Sequence, residues 1–237
     1  MKSLTCGICG NTEGNRVFPV REMMNGTGEA FEYVQCARCG HLRIAEIPAD
    51  LGKYYAGAYY SFHSNPRGGW RGWCDRARVA AMLGGRNPVG RFFAAVKKTN
   101  FEGWLRRAGL RIGDEFLDVG CGSGKFIRML QGAGLKCTGI DPFLDGDSET
   151  PEGAHLRRRG IEEETGRYRG IMFSHSLEHV GEPGPALKKA GELLEDDGVL
   201  IVRIPLADSL AFWRYGADWF QLDAPRHLNL FTALRDL

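Results

Sequence analysis

The stretch FLDVGCGSGKFIRML, Phe116 to Leu130, constrains this chain more than any other. A short apolar run ends at the acid Asp118. Three glycines follow at Gly120, Gly122 and Gly124, and apolar residues then recur at helical spacing. That is a strand, a tight turn and a helix, and the pattern continues. KCTGIDP reads as a second strand ending at an acid, and AHLRRRGIEE, after the turn-rich FLDGDSETPEG, as a third. GIMFSHS reads as a fourth strand and VLIVRIP as a fifth. Between them PGPALKKAGELLEDDG reads as a helix that starts on prolines and stops at Gly198. Strands alternating with helices make an α/β domain, residues 113–204, with a parallel sheet covered on both faces. Right-handed crossovers make it doubly wound and Rossmann-like, with ligands at the carboxyl ends of the strands, beside strand one.

Three ligands compete for the glycine turn. A P-loop needs G-x-x-x-x-G-K-[ST]. Here Gly120 and Gly124 stand one residue too close, and Phe126 occupies the place of the magnesium-binding hydroxyl. A dinucleotide fingerprint needs G-x-G-x-x-G, but the sixth position is Lys125, whose side chain obstructs close helix–strand packing. The remaining pattern, D-x-G-x-G-x-G, resembles motif I of the class I S-adenosylmethionine-dependent methyltransferases. The resemblance implies S-adenosyl-L-methionine as cofactor. The loop backbone, Cys121 included, then lies against its amino-acid portion and ribose, and Asp118 holds its ammonium. Asp141, followed by Pro142, ends strand two and can take both ribose hydroxyls, by the logic of dinucleotide sites. The same resemblance brings Gly160, Ile161 and Glu162 to the adenine. It brings Ser174, His175 and Ser176, at the exit of strand four, to the methionine end. Leu177, Glu178, His179 and Pro183 match the family's Leu-Glu-His followed by proline, which makes His179 a candidate catalytic residue.

Seven cysteines are present, four of them in two CxxC pairs, Cys6/Cys9 and Cys36/Cys39, each followed by glycine. The start, MKSLTCGICG, lacks the apolar segment of a secretion signal, and in that context the spacing favours metal over disulfides. The expectation is a tetrahedral Zn2+ site in a zinc-ribbon-like module over residues 1–48. With four thiolates the zinc is structural, and His41 is a bystander. Residues 49–112 read as two helices behind a tyrosine-rich segment, which is either core packing or a lid over a ligand. Net charge is +2, short of the broad basic field that duplex binders carry, so nucleic acid is disfavoured as a partner. No apolar run approaches the roughly 20 residues of a membrane-spanning helix. The expected compartment is the cytoplasm.

The double-CxxC module, the segment YYAGAYYSF and this core together resemble the bacterial methyltransferases of sugar-nucleotide and polysaccharide pathways, including sugar C-methyltransferases. That resemblance implies Tyr59 and Tyr60 closing over the cofactor, and a small-molecule acceptor of the sugar class. The C-methyltransferases carry Tyr-x-Glu-His after strand five. Here DWFQLDAPRHLNLFT places His227 on the histidine, while Ala224 and Arg226 replace the tyrosine and the glutamate. His227 alone suits O-methylation, which needs one base near a hydroxyl. Residues 205–237 read as an acceptor-side lid segment. The family's strands six and seven are not found in it, which would leave an apolar sheet edge for a homodimer. The alternatives are an RNA methyltransferase with a zinc module and a catalytically inactive cofactor binder.

Overall fold

The computed structural model describes residues 4–55, 69–96 and 100–233. In chain order they form β1 (Arg16–Arg21), β2 (Ala30–Gln35), β3 (Leu42–Ile44), α1 (Gly69–Met82), α2 (Pro88–Val96) and α3 (Asn100–Arg107). Then follow β4 (Glu115–Val119), α4 (Lys125–Gln131), β5 (Lys136–Ile140), β6 (Ser148–Glu149), β7 (His155–Arg157) and β8 (Tyr168–Ser174). The chain continues with α5 (Pro183–Leu193), β9 (Leu194–Arg203), α6 (Leu210–Tyr215) and β10 (Asn229–Leu230). It divides into two compact units. One comprises Met1–Tyr59, His175–Pro185 and Arg203–Leu237, the other Tyr60–Ser174 and Ala186–Val202.

The second unit is built on a sheet of order β6-β7-β5-β4-β8-β9. β4 is its pivot: from it the chain steps to β5 on one side and later to β8 on the other, both parallel to it. That reversal is the switch point of a doubly wound sheet. β7 pairs parallel with β5, but β6 pairs antiparallel with β7. The sheet is therefore mixed and not wholly parallel. The turn-rich segment before β7 supplies a short hairpin edge, because Thr150 N–H reaches the Ala154 carbonyl at 2.9 Å and folds the chain back. Phe116, Cys137 and Met172 of the sheet meet Val79 from α1, Leu83 just beyond it, Leu105 from α3, and Ile127 and Leu130 from α4 in one buried cluster. Each fully buried large aliphatic or aromatic side chain there contributes about 1.5–3 kcal/mol.

Three element boundaries differ from the sequence expectation. The third strand, expected over AHLRRRGIEE, is only β7, His155–Arg157, with a 3-10 turn at Ile161–Glu163. The region read as a second long helix holds both α2 and α3. The helix expected to run to Gly198 ends at Leu193, and β9 starts at Leu194. Glu195, Asp196 and Asp197 explain the early stop, since acids oppose the negative carboxyl end of a helix dipole.

The first unit carries an antiparallel sheet, β1-β2-β3-β10. β10 comes from the far end of the chain, with Leu230 opposite Leu42 and Asn229 opposite Arg43. Val20, Tyr33, Leu42 and Ile44 pack with Trp219, Leu222, Leu228 and Leu230 in its core. Thr232 Oγ1 donates to the Cys39 carbonyl at 2.7 Å, so the cysteine segment and the C-terminal segment belong to one folded body. Among the described residues, no helix is long and apolar enough to cross a membrane.

Candidate functional site

The residues of the second unit expected from the sequence to meet a cofactor come from the ends of β4 and β5. Asp118 lies buried in β4, in register with Gly139 of β5 and Met172 of β8. Gly120, Gly122 and Gly124 all take positive φ, at 77°, 51° and 70°, where a side chain is strained. The turn is held by Gly120 N–H to the Ile140 carbonyl at 2.8 Å and by Gly122 N–H to Asp141 Oδ2 at 3.0 Å. A Cβ on Gly124 would stand 2.8 Å from Leu156 Cδ2, so this glycine seats the turn against β7. Cys121 packs over Gly139, and burial raises its thiol pKa, keeping it protonated.

Asp141 follows β5 and is buried, with Pro142 exposed in the turn beyond it. Its Oδ2 accepts from Gly122, and its Oδ1 from the Phe143 N–H at 2.9 Å. Each carboxylate oxygen has a further lone pair, so both can still accept from a ribose hydroxyl. The residues present thus fit a nucleoside held by its diol. Ile161 is buried at the start of a 3-10 turn, Ile161–Glu163, behind Gly160, and Glu162 is exposed beside it. Ser174 is half-buried at the end of β8. Tyr60 and Tyr59 lie outside the described residues.

His175, Ser176, His179 and His227 all fall in the first unit. His175 is exposed and takes φ 55°, a left-handed backbone that is uncommon outside glycine and marks functional sites when it occurs. Ser176 is buried and precedes a 3-10 turn, Leu177–His179. That turn is docked by Leu228 N–H to the Glu178 carbonyl and by Asn229 Nδ2 to the Val180 carbonyl, both at 2.7 Å. On the other side, the Asp223 carbonyl accepts from Arg226 N–H at 2.9 Å and His227 N–H at 3.2 Å, a tight turn that aims both side chains.

The result is a cluster. The rings of His179 and His227 meet edge to face with centroids 4.8 Å apart. His179 Nδ1 lies 2.9 Å from the Arg226 carbonyl and 3.1 Å from the Tyr55 hydroxyl. His227 Nδ1 lies 2.8 Å from the Gln221 carbonyl. Its Nε2 is 3.6 Å from Asp223 Oδ2 and 4.0 Å from Glu178 Oε1. Glu178 is wholly buried. Burial, with His179 close by, lowers the His227 pKa to about 3, so the ring is neutral at physiological pH. Arg226 donates to Asp223 Oδ1 at 2.6 Å. Glu178, Asp223, Arg226 and Tyr55 were not singled out as site residues from the sequence. The one signal was the acid inside Leu177-Glu178-His179, set between an apolar residue and an imidazole.

The four cysteines of the same unit also converge. Cys6 Sγ lies 3.6 Å from Cys39 Sγ, and Cys9 Sγ lies 3.5 Å from Cys36 Sγ. Tetrahedral Zn–S bonds of about 2.3 Å imply sulfur edges near 3.8 Å, so the set fits that ion. The two CxxCG turns have the same backbone. Gly10 and Gly40 take φ 70° and 73°, and each N–H returns to the carbonyl of the first cysteine at 3.0 Å. Burial alone would raise the Cys36 pKa, but the N–H groups of Cys39 and Arg38 and the neighbouring thiols outweigh it and bring it to about 6. His41 is buried beside Cys6, with Nδ1 3.9 Å from its sulfur.

A family described as "Methyltransferase domain" matches residues 91–236, more than half of the chain. A curated relative, the ubiquinone biosynthesis O-methyltransferase of Azorhizobium caulinodans, is 31% identical over 146 residues, covering 55% of this chain and 56% of the relative. The chain thus spans little more than half the length of that protein. Among solved structures, magnesium protoporphyrin IX methyltransferase from Synechocystis PCC 6803 with bound SAH is similar at 15% identity and TM-score 0.40, over 66% of this chain and 68% of that one. The plantazolicin methyltransferase BpumL, in complex with a pentazolic desmethyl analogue and SAH, is similar at 15% identity and TM-score 0.42, over 77% of this chain and 66% of that one. With the family match on top of the glycine turn and its acids, the chain belongs to the methyltransferase-domain family and carries an S-adenosylmethionine-dependent methyltransferase domain.

Proposed function

We propose that the protein moves the methyl group of S-adenosylmethionine to a hydroxyl oxygen of a small-molecule acceptor of the sugar or sugar-nucleotide class. Asp118, the Gly120–Gly124 turn and Asp141 hold the cofactor, Gly160, Ile161 and Glu162 its adenine, and Ser174, His175 and Ser176 its methionine end. The acceptor is ionised at Glu178, His179 and His227. Cys6, Cys9, Cys36 and Cys39 hold a structural Zn2+ that keeps the first unit folded.

The observation that carries the acceptor-side reading is the pair of imidazoles beside a fully buried carboxylate, with each Nδ1 engaged by a backbone carbonyl. A carbonyl partner makes Nδ1 the protonated nitrogen and leaves the Nε2 lone pair for a ligand. Reaction is then an in-line displacement. The acceptor oxygen forms its bond to the methyl carbon as the carbon–sulfur bond breaks, and the electron pair stays on sulfur, neutralising the sulfonium. The hydroxyl proton passes to His227 Nε2, with the Glu178 and Asp223 carboxylates 4.0 and 3.6 Å away to balance the imidazolium that forms. At about 3, the His227 pKa makes that ring too weak a base to do this alone at neutral pH, so the three side chains act together. Holding the two reactants in line supplies most of the acceleration. The O-methyltransferase name of the curated relative supports oxygen as the atom methylated.

The test is methyl transfer from labelled S-adenosylmethionine to a panel of sugar nucleotides, free sugars, phenols and RNA. Labelled methyl ether of a sugar or sugar-nucleotide acceptor, its formation reduced at least 100-fold by His227→Ala, is expected. A rate unchanged by His227→Ala contradicts the acceptor-side assignment.

A further inference from the structure

The Glu178–His179–His227 cluster supports one step more. Among the described residues, neither oxygen of the Glu178 carboxylate has a hydrogen-bond partner, although the residue is 0% exposed. Its near neighbours are imidazole nitrogens, His175 Nδ1 at 3.5 Å and His227 Nε2 at 4.0 Å. A buried carboxylate left in this way is costly unless a positive group answers it. Asp223 adds a second carboxylate, 3.6 Å from His227 Nε2, while the Arg226 guanidinium bonds to Asp223 Oδ1.

One ligand atom from each of Glu178, His179 and His227 lies within 4.8 Å of the other two. Both histidines have Nδ1 on a backbone carbonyl, at 2.9 Å from Arg226 and 2.8 Å from Gln221. Metal-binding histidines are oriented in this manner: the outer partner fixes ring and tautomer, and the other nitrogen faces the ion. Metal–ligand bonds of about 2.1 Å would draw the three atoms to about 3.4 Å apart, a closure within reach of side-chain rotation. His179 is half-buried and His175 exposed, which gives the cluster a path to solvent.

We propose that Glu178, His179 and His227 bind a divalent transition-metal ion, separate from the four-cysteine centre. Two imidazoles and one carboxylate are the donor set of catalytic Zn2+ sites, which keep a further position open for water or substrate. On the function proposed above, and resting on it for this role alone, that position takes the acceptor hydroxyl. An ion held by these three residues would act as a Lewis acid and lower the pKa of a hydroxyl bound at that position, so that its proton could leave to solvent water. His227 is then a ligand and not a lone base.

Co2+ titration of the metal-depleted full chain tests this. The expected result is two equivalents per chain. One shows the intense near-ultraviolet bands of thiolate ligation, and the other only weak visible bands of nitrogen and oxygen ligation. Glu178→Gln and His179→Ala should each take one equivalent and keep the thiolate bands, which report that the unit is folded. A wild-type chain that takes one equivalent overturns the proposal, as do two equivalents in both variants. Loss of methyl transfer on stripping the second equivalent, restored by adding it back, supports the catalytic role, and an unchanged rate overturns it. If two equivalents bind but no acceptor is methylated, the site stands and the proposed function fails.

Discussion

The hydroxyl of Tyr33 donates to the carbonyl oxygen of His227 at 2.7 Å, and both residues are buried. Tyr33 lies on β2, between the two CxxC pairs in the sequence, so the sheet beside the cysteines anchors the backbone of His227, the histidine proposed to meet the acceptor. Tyr33→Phe keeps the ring, removes the donor and leaves a buried carbonyl unpaired, which costs about 1–3 kcal/mol. Urea unfolding should show that loss. Kinetics should show a lower kcat with unchanged affinity for S-adenosylhomocysteine, because the cofactor-side residues are untouched.

Removal of the Zn2+ proposed at the four cysteines should unfold the first unit. The sheet β1-β2-β3-β10 is small, and Cys6 and Cys36 are part of its buried set. Structural Zn2+ contributes folding free energy directly, on the order of 10 kcal/mol in small modules. In a Cys9→Ser/Cys36→Ser variant, amide hydrogen exchange should lose protection at Tyr33, Val34 and Leu42. Retained protection at those amides would contradict the structural role.

Gly139→Ala tests the packing beneath the glycine turn. Its Cβ would stand 2.7 Å from both Cys121 Sγ and Ile127 Cδ1. Overpacking of this kind costs about 1–3 kcal/mol. The variant should lose stability by that amount and bind S-adenosylhomocysteine more weakly, since Cys121 belongs to the turn. Adding Cys121→Ala should recover part of both losses.

Glu22 gives the first unit an acid dependence. It is buried after β1, where its carboxylate accepts from Asn25 N–H at 2.5 Å, Thr27 N–H at 2.8 Å and Thr27 Oγ1 at 2.9 Å. Burial alone would raise its pKa, but these donors outweigh it and hold it below the ordinary value of 4.5. A carboxyl with a lowered folded pKa stabilises fully above its unfolded pKa, and that contribution is lost as pH falls through the folded pKa. Melting curves below pH 4.5 should therefore fall less steeply for Glu22→Gln than for the parent chain.

The second unit was legible because its signals are local. Strand, turn and helix stand side by side at Phe116–Leu130, and the acids that end β4 and β5 lie in the same short stretches. In the first unit only the cysteine pairs were legible, because its other defining contacts join distant residues. Leu230 pairs with Leu42, Tyr33 bonds His227, and Glu178 is buried by a turn that Leu228 and Asn229 dock. No periodicity announces a two-residue strand such as β10. The α5 boundary was misplaced for a related reason: Gly198 is a stop signal, but the acids before it act first. His227 was found through its neighbours in the sequence, whereas the carboxylates around it were found only through the fold.

The central claim is that the Gly120–Gly124 turn and Asp141 form an S-adenosylmethionine site. Calorimetric titration of the full chain with S-adenosylhomocysteine tests it most directly. Asp141→Ala removes the acceptor of the Gly122 N–H and of the ribose hydroxyls, and hydrogen bonds to a charged group are each worth about 1.5–3 kcal/mol. One equivalent bound per chain, weakened by about 10- to 100-fold or more in Asp141→Ala, is the predicted result. A folded parent chain that takes up no S-adenosylhomocysteine, or an Asp141→Ala variant that binds it as tightly as the parent, would contradict the account.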